Sequence, residues 1–167
     1  MTRRFESKVV IVTGAGNGVG ATTAIRFAQE GARVVCADLD AAAAAAVAAE
    51  IARAGGTAAA CAVDIRDAAS VDAMIVFTLR EFGAPHAMIN NAGRGAQKHF
   101  LETPLETLRA MLDVNVVGTF IVGRAAARIM MEQGGGSIVN IASNAGLMAQ
   151  PYSAAYCASK GGVVQLT

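Results

Sequence analysis

The chain alternates short apolar runs with longer stretches of helical character. The apolar runs predict strands at Lys8–Thr13, Arg33–Ala37, Thr57–Val63, His86–Ile89 and Ser137–Ala142. The intervening stretches predict helices at Val19–Glu30, Ala41–Ala54, Ala68–Phe82, Leu105–Glu132 and from about Ser153 onward. Because strands buried on both faces of a parallel sheet are almost continuously apolar, this pattern predicts an α/β fold. We expect a doubly wound parallel sheet with the strand order 3-2-1-4-5.

Length and charge limit the classes of protein to consider. A chain of 167 residues predicts a single domain over 1–167. Fourteen basic and thirteen acidic side chains give a net charge of +1, which argues against nucleic acid or an anionic membrane as the main partner. No uninterrupted apolar run approaches the roughly 18 residues of a membrane helix, and no secretory signal is evident. We therefore expect a cytoplasmic protein with no membrane partner.

The cysteines and histidines do not form a recognisable metal or disulfide pattern. Cys36, Cys61 and Cys157 are odd in number and widely spaced, which favours reduced thiols. Cys36 and Cys61 lie in apolar runs and are expected in the core. His86 is assigned to a strand and His99 to a loop, where it is either solvated or lines a pocket. No metal site is expected.

The first predicted strand ends in the glycine-rich turn T-G-A-G-N-G-V-G, directly before the first predicted helix. Its Gly14, Gly18 and Gly20 follow the pattern T-G-x-x-x-G-x-G. Such a turn lets the backbone approach a pyrophosphate, and the helix N-terminus supplies free N–H groups and a partial positive charge. The strand–turn–helix context favours a Rossmann-like dinucleotide site over a turn with a structural role alone.

Asp38 at the end of the second strand indicates which cofactor is bound. A carboxylate there can accept hydrogen bonds from the ribose hydroxyls of adenosine, and it repels a 2′-phosphate. Neither Asn17 nor Leu39 supplies a basic group that would favour NADP, so we expect NAD. The alternative is that Asp38 or Asp40 caps the following helix. Asp40 suits the cap better because it directly precedes the helix, which leaves Asp38 free.

Further motifs follow in a fixed order. N-N-A-G comes after the fourth strand, and an asparagine lies in the long helix. A serine follows the fifth strand, a tyrosine comes 13 residues later, and a lysine four residues after that. With these motifs the chain resembles the short-chain dehydrogenase/reductase superfamily, single-domain type. The residues concerned are Asn90–Gly93, Asn115, Ser143, Tyr156 and Lys160.

The resemblance implies an NAD-dependent oxidoreductase with defined site residues. It implies that Asp64 contacts adenine and that Lys160 binds the nicotinamide ribose. The implied catalytic residues are Asn115, Ser143, Tyr156 and Lys160. The implied cofactor-binding residues are Gly14, Asn17, Gly18, Val19, Gly20, Asp38, Leu39, Asp64, Ile65, Asn91, Ala92, Gly93, Tyr156 and Lys160.

Tyr156 and Lys160 are suited to proton transfer because an i, i+4 pair shares one helix face. A tyrosine normally titrates near 10, and a nearby ammonium stabilises its phenolate. Tyr156 is then the general base in oxidation and the general acid in reduction, and Ser143 orients the substrate oxygen. The resemblance gives Asn115 a water in a proton relay, whereas the sequence alone equally allows a polar residue that kinks the helix. Taken singly, Tyr156 is also compatible with a half-buried aromatic, Ser143 with a loop residue and Lys160 with a solvated helix face.

The substrate is expected to meet the loops Arg94–Phe100 and Asn144–Tyr152, beyond the strand ends. A secondary alcohol or its ketone is the expected substrate class. The resemblance implies a homodimer or homotetramer, and it implies that members continue past Thr167. The chain is therefore expected to lack the family's final strands and helices. The alternatives are a non-catalytic NAD-binding or interaction protein, or an inactive fragment of such an enzyme.

Overall fold

The computed structural model describes residues 3–167, which form one five-stranded parallel sheet between helices. The strand order is β3-β2-β1-β4-β5, as predicted. Every neighbouring pair of strands is parallel, so the carboxyl ends of all the strands lie along one edge of the sheet. The strands are β1 Val9–Thr13, β2 Arg33–Asp38, β3 Thr57–Ala62, β4 Ala87–Asn90 and β5 Ser137–Asn140.

The helices also follow the predicted pattern, with one interruption. They are α1 Gly18–Gln29, α2 Ala41–Arg53, α3 Ala68–Phe82, α4 Leu105–Leu112, α5 Thr119–Glu132 and α6 Ala154–Gln165. The long helix predicted over Leu105–Glu132 contains a π-helical segment at Asp113–Gly118, between α4 and α5. Single π-helical turns often occur at functional sites, and this one contains Asn115.

Alternate residues of β1 face two separate apolar cores. Val10 and Val12 pack with residues of α1 and α2 on one side of the sheet. Ile11 packs with residues of α3 and α5 on the other side. All five residues of β1 are buried, as expected for a central strand covered on both faces. The sheet therefore has helices on both faces.

Most of the side chains assigned to packing or capping lie where they were expected. The Asp40 carboxylate accepts hydrogen bonds from the N–H groups of Ala42 and Ala43 at 2.9 and 3.0 Å, which confirms it as the cap of α2. Cys36 is fully buried, and this burial raises the pKa of its thiol to about 11. Cys61 is only partly buried because β3 lies at an edge of the sheet.

One helical stretch meets the length and hydropathy criteria for a membrane span. Over Leu105–Glu132, an 18-residue window has a mean hydropathy of 1.3, and 33% of that window is buried inside the protein. The sequence expectation counted only uninterrupted apolar runs, whereas the window tolerates a few charges. Core helices also meet these criteria, so the observation is weak evidence for a membrane span. Within residues 3–167 no group of three His, Cys, Asp or Glu side chains could hold a metal ion.

Candidate active site

The glycine-rich turn brings the end of β1 close to the start of α1. Gly14 and Gly18 have φ angles of +65° and +52°, which glycine adopts without strain. A Cβ at Gly20 would collide with the carbonyl oxygen of Gly14, and none of the surrounding atoms would lie within 4 Å of a Cβ at Gly18. The N-cap residue Asn17 makes no side-chain capping bond, and it lines a cleft together with Gly14 and Gly20. A helix N-terminus without a side-chain cap, beside such a cleft, suits a pyrophosphate.

The turn is fastened to the loop after β4. The Asn91 side-chain amide donates to the carbonyl oxygens of Thr13 and Gly14 at 3.0 and 3.1 Å. In return, the Thr13 hydroxyl oxygen accepts from the backbone N–H groups of Asn91 and Ala92, both at 3.2 Å. These bonds fix the N-N-A-G segment against the glycine-rich turn.

Asp38 does not cap α2, as expected, but both of its carboxylate oxygens already accept hydrogen bonds from backbone N–H groups. Its Oδ2 accepts a 2.7 Å hydrogen bond from the N–H of Gly16, and its Oδ1 accepts a 3.0 Å bond from the N–H of Asp40. Each carboxylate oxygen keeps acceptor capacity for a ribose hydroxyl. Sequence reasoning missed Gly16, where a Cβ would lie 2.9 Å from Asp38 Oδ2. The glycine between Ala15 and Asn17 was the only signal for this contact.

Asp64 is held by a neighbouring arginine that sequence reasoning also missed. The Arg66 guanidinium contacts both oxygens of the Asp64 carboxylate, with a shortest distance of 2.6 Å. Hydrogen bonds from Arg66 lower the pKa of Asp64. The adenine contact of Asp64 thus stays a prediction. Asn17 and Leu39 supply no basic group, but the structure brings the basic side chain of Arg66 to the cleft.

A cleft of about 650 Å³ runs from the glycine-rich turn to the loop after β4. Of the glycines predicted to bind the cofactor, only Gly18 does not line this cleft. Gly18 lines a different cavity, together with other residues of α1. The predicted cofactor residues that line the cleft are Gly14, Asn17, Val19, Gly20, Asp38, Leu39, Asp64, Ile65, Asn91, Ala92 and Gly93.

A second cavity of about 230 Å³ contains Tyr156 and Lys160. Lys160 is only 6% exposed, and burial lowers the pKa of its ammonium group. Its Nζ donates a 2.6 Å hydrogen bond to the carbonyl oxygen of Ile141 and lies 6.0 Å from the centre of the Tyr156 ring. The two cavities share four lining residues: Asn91, Gly93, Arg94 and Gly95. The cleft therefore leads to the tyrosine and the lysine.

Ser143 follows β5 and begins the short turn Asn144–Gly146. Its Oγ accepts from the N–H of Ala145 at 3.2 Å and donates to Asn144 Oδ1 at 3.1 Å. It comes directly after Ala142, which lines the smaller cavity. The serine thus lies close to the edge of that cavity, with its proton directed at a neighbouring side chain.

The buried Asn115 holds the loop after β4 to the helix that carries Tyr156. Its Oδ1 accepts from the N–H of Arg94, and its Nδ2 donates to the carbonyl oxygen of Arg94, both at 2.9 Å. Nδ2 also donates to Ser159 Oγ at 2.9 Å, and Ser159 donates to the carbonyl oxygen of Tyr156 at 2.8 Å. The side chain therefore acts as a clamp between three elements, and the water relay stays a prediction.

The two histidines lie outside the cavity that contains Tyr156 and Lys160. His86 lies just before β4, and its Nδ1 accepts a 3.1 Å hydrogen bond from the N–H of Val9. His99 is exposed, with its ring 6.2 Å from that of Tyr152. The two predicted substrate loops meet here, because the N–H of Lys98 donates to the carbonyl oxygen of Tyr152 at 2.7 Å.

Comparison with known proteins finds a matching family model and similar dehydrogenases. The family model described as short chain dehydrogenase matches residues 8–167. D-threitol dehydrogenase from Mycolicibacterium smegmatis is 41% identical over 96% of this chain, which spans 62% of that relative's length. Cyclohexanol dehydrogenase from an Acinetobacter species is 38% identical over the whole chain, which spans 67% of that relative.

A solved structure agrees with this assignment. The crystal structure of a short-chain type dehydrogenase/reductase from Mycobacterium marinum superposes with a TM-score of 0.95 at 35% identity. The match covers 99% of this chain and 68% of that one. With a family model that matches nearly the full sequence, and with the same fold and strand order, the chain belongs to the short-chain dehydrogenase family.

Proposed function

We propose that the protein is an NAD-dependent oxidoreductase that interconverts a secondary alcohol and its ketone. The observation that carries this proposal is the shared wall of the two cavities. A dinucleotide seated with its pyrophosphate at the glycine-rich turn can extend along that wall toward Tyr156 and Lys160. The reactive end of the cofactor and a proton-transfer group would then meet in one pocket.

In the proposed reaction, a bound nicotinamide supplies the capacity to accept or give a hydride. Tyr156 takes the hydroxyl proton when the alcohol is oxidised and returns it when the ketone is reduced. The buried Lys160 ammonium, 6.0 Å from the Tyr156 ring, stabilises negative charge on the phenolic oxygen. Ser143 donates a hydrogen bond to the substrate oxygen, where charge develops. Asn115 holds the loop after β4, whose residue Arg94 lines both cavities.

The relatives support the proposed substrate class. The names of two of them specify a polyol, D-threitol, and a cyclic alcohol, cyclohexanol. A small neutral secondary alcohol suits the space of about 230 Å³ beside Tyr156. A panel of polyols and cyclic alcohols, followed by the absorbance of NADH, tests this proposal. Turnover of none of them by a protein that binds NAD would favour a non-catalytic NAD-binding role.

The preference for NAD over NADP rests on Asp38. Its carboxylate faces the cleft with both oxygens held by backbone N–H groups, and a second negative charge at the 2′ position would meet it. Thermal unfolding with each cofactor tests this, since a ligand at about 100 times its Kd stabilises a fold by about 2.7 kcal/mol. We expect the larger shift in Tm with NAD, and a smaller difference between the cofactors in Asp38→Asn. A larger shift with NADP for the unaltered chain would contradict the assignment.

We also propose that the protein assembles as a homodimer or homotetramer and acts in the cytoplasm. Large apolar side chains are exposed along the π segment and α5, among them Val117, Phe120 and Met131. Exposed apolar patches of this kind mark association surfaces. Sedimentation velocity tests the assembly: Phe120→Glu is expected to lower the sedimentation coefficient, and a monomeric unaltered chain would contradict it.

A further inference from the structure

The hydroxyl proton of Ser143 is not offered to the catalytic cavity in this structure. Ser143 donates to Asn144 Oδ1 at 3.1 Å, and the same oxygen accepts a 2.9 Å hydrogen bond from Gln150 Nε2. The Ser143 oxygen also accepts from the N–H of Ala145. A substrate would therefore meet one free lone pair of the Ser143 oxygen and a hydroxyl proton that is already hydrogen-bonded to the Asn144 amide oxygen.

The loop that carries these groups is held firmly to the helix of Tyr156. A Cβ at Gly146 would lie only 2.6 Å from the carbonyl oxygen of Lys160, so the loop backbone lies directly on α6. The carbonyl oxygen of Gln150 accepts a 3.3 Å bond from the N–H of Ser153, the residue that precedes α6. The Gln150 side chain therefore fixes Asn144 from a point anchored to the catalytic helix.

The Asn144 amide turns its oxygen toward both donors, Ser143 Oγ and Gln150 Nε2. An amide nitrogen in that place would donate to Ser143 and leave the serine proton free, and it would need the side-chain oxygen of Gln150 as its second acceptor. The direction of the serine hydroxyl therefore depends on how the Gln150 and Asn144 amides are oriented together.

We infer that Asn144 and Gln150 are positioning residues that hold the Ser143 proton until a substrate oxygen replaces the amide as its acceptor. This inference rests on the proposed role of Ser143 in the reaction. A neutral amide oxygen is a suitable temporary acceptor, since exchanging one neutral hydrogen bond for another costs little. As charge develops on the substrate oxygen, the bond from Ser143 strengthens and the exchange becomes favourable.

Two substitutions of Asn144 separate this role from a structural one. Asn144→Asp keeps an acceptor for both donors but makes the bond charge-assisted, roughly twice as strong. It should hold the serine proton too tightly and lower kcat/KM about tenfold, mainly through kcat. Asn144→Ala removes the acceptor and should lower kcat/KM less. If the asparagine only supported the loop, the order would be reversed, because Asn144→Ala breaks both bonds and Asn144→Asp keeps both.

The same substitutions in a Ser143→Ala background provide the control. An effect that passes through the serine hydroxyl disappears there, whereas a general effect of the added charge persists. Equal losses with Asn144→Asp in both backgrounds would overturn the inference. So would a greater loss with Asn144→Ala than with Asn144→Asp in the Ser143 background.

A spectroscopic measurement makes the test independent of turnover. The 13Cγ resonance of Asn144 reports hydrogen bonds to its oxygen, and we expect it to shift in Ser143→Ala and in Gln150→Met. A resonance unmoved by either change would overturn the inference even in a protein with no known substrate. Absence of turnover in the unaltered chain, together with the expected shifts, would count against the proposed function and not against this network.

Discussion

The part of the sheet that carries the glycine-rich turn and the part that carries Tyr156 hold their sites in different ways. Around the turn, backbone atoms approach one another closely, as where Gly20 lies against the carbonyl oxygen of Gly14. Around Tyr156, side chains reach between elements, as Asn115 does from the π segment to Arg94 and Ser159.

The two parts of the sheet also differ in how deeply their strands are buried. Every residue of β1 is buried, whereas the residues of the edge strand β5 are exposed or only partly buried. The substrate loops expose large apolar side chains, including Phe100, Leu147 and Tyr152. The proposed pyrophosphate cradle is built from backbone atoms and can be rigid, whereas the proposed substrate side is held by side chains that substitution can alter. Four substitutions or conditions test this difference, from the largest expected effect to the smallest.

The largest effect is expected from Tyr156→Phe. Loss of a general acid or base commonly lowers kcat by 10²- to 10⁴-fold, so a decrease of about that size is expected. Within residues 3–167 no hydrogen bond of the Tyr156 hydroxyl stabilises the fold, so Tm and NADH affinity should stay near the parent values. Stopped-flow or steady-state absorbance measures kcat, and fluorescence measures NADH binding.

Tyr152→Phe is the matched control, because Tyr152 is exposed and its ring lies outside the catalytic cavity. It should cost far less activity than Tyr156→Phe. Because Tyr152 lies in a predicted substrate loop, the comparison is made on kcat, and similar decreases of kcat from the two changes would contradict the assignment of Tyr156 as the proton-transfer group.

Gly20→Ala tests the part of the site around the glycine-rich turn, where backbone atoms approach one another closely. The added Cβ collides with the carbonyl oxygen of Gly14 and lies 2.5 Å from Asn91 Nδ2, so the turn must shift. Overpacking of this kind costs about 1–3 kcal/mol, and we expect a lower Tm and weaker NAD binding together. Gly123→Ala in α5 is the control, since its Cβ would meet only Asn90 Nδ2 at 3.7 Å. Differential scanning fluorimetry with and without NAD compares the two, and equal tolerance would contradict the close-contact argument.

Ser159→Ala tests the part of the site around Tyr156, which is held together by side chains. The fully buried Ser159 hydroxyl accepts from Asn115 Nδ2, so its removal leaves a buried donor unpaired at a cost of about 1–3 kcal/mol. Chemical denaturation should show that loss, and kcat should fall because Asn115 loses its bond to the helix that carries Tyr156. Thr22→Ala removes an exposed helix hydroxyl that bonds to Gly18 and should change the unfolding free energy much less. Comparable losses would show that burial of this network does not matter.

The smallest effect is expected from the protonation of His86. Burial first, and then the charges of Lys8 and Arg33, lower its pKa below the ordinary 6.5 of a histidine. A lowered pKa in the folded state means that the neutral form is favoured there. The stability that neutral His86 contributes is fully present above about pH 6.5, and it is lost as the pH falls through the pKa of His86 in the folded state.

Protonation would also remove the Nδ1 acceptor for Val9 N–H. Thermal melts between about pH 7.5 and 5 should therefore show a decrease in Tm that is smaller in His86→Gln, whose side chain accepts a hydrogen bond without titrating in this range. The same pH dependence in both proteins would assign the decrease to other groups.

Local patterns predicted the strand order and the general location of most site residues. Strand order follows from apolar runs alternating with helical stretches, because right-handed crossovers between parallel strands leave few arrangements. Asp40 was identified as a cap because capping depends on neighbours within one turn. The bond between Asp38 and the N–H of Gly16 was not predicted, because it joins two strand ends and residues 22 positions apart.

Motifs and apolar runs were enough to identify the family and the parallel sheet, and they predict the edge of the sheet at which cofactor and substrate meet. Only the tertiary structure showed that Arg66 holds Asp64, that Asn115 clamps Arg94, and that Gln150 and Ser143 share one amide oxygen. The reason is physical. Periodicity and motif spacing report short-range geometry, whereas a hydrogen bond between separate elements depends on side-chain rotamers and on which loops the packed core brings into contact.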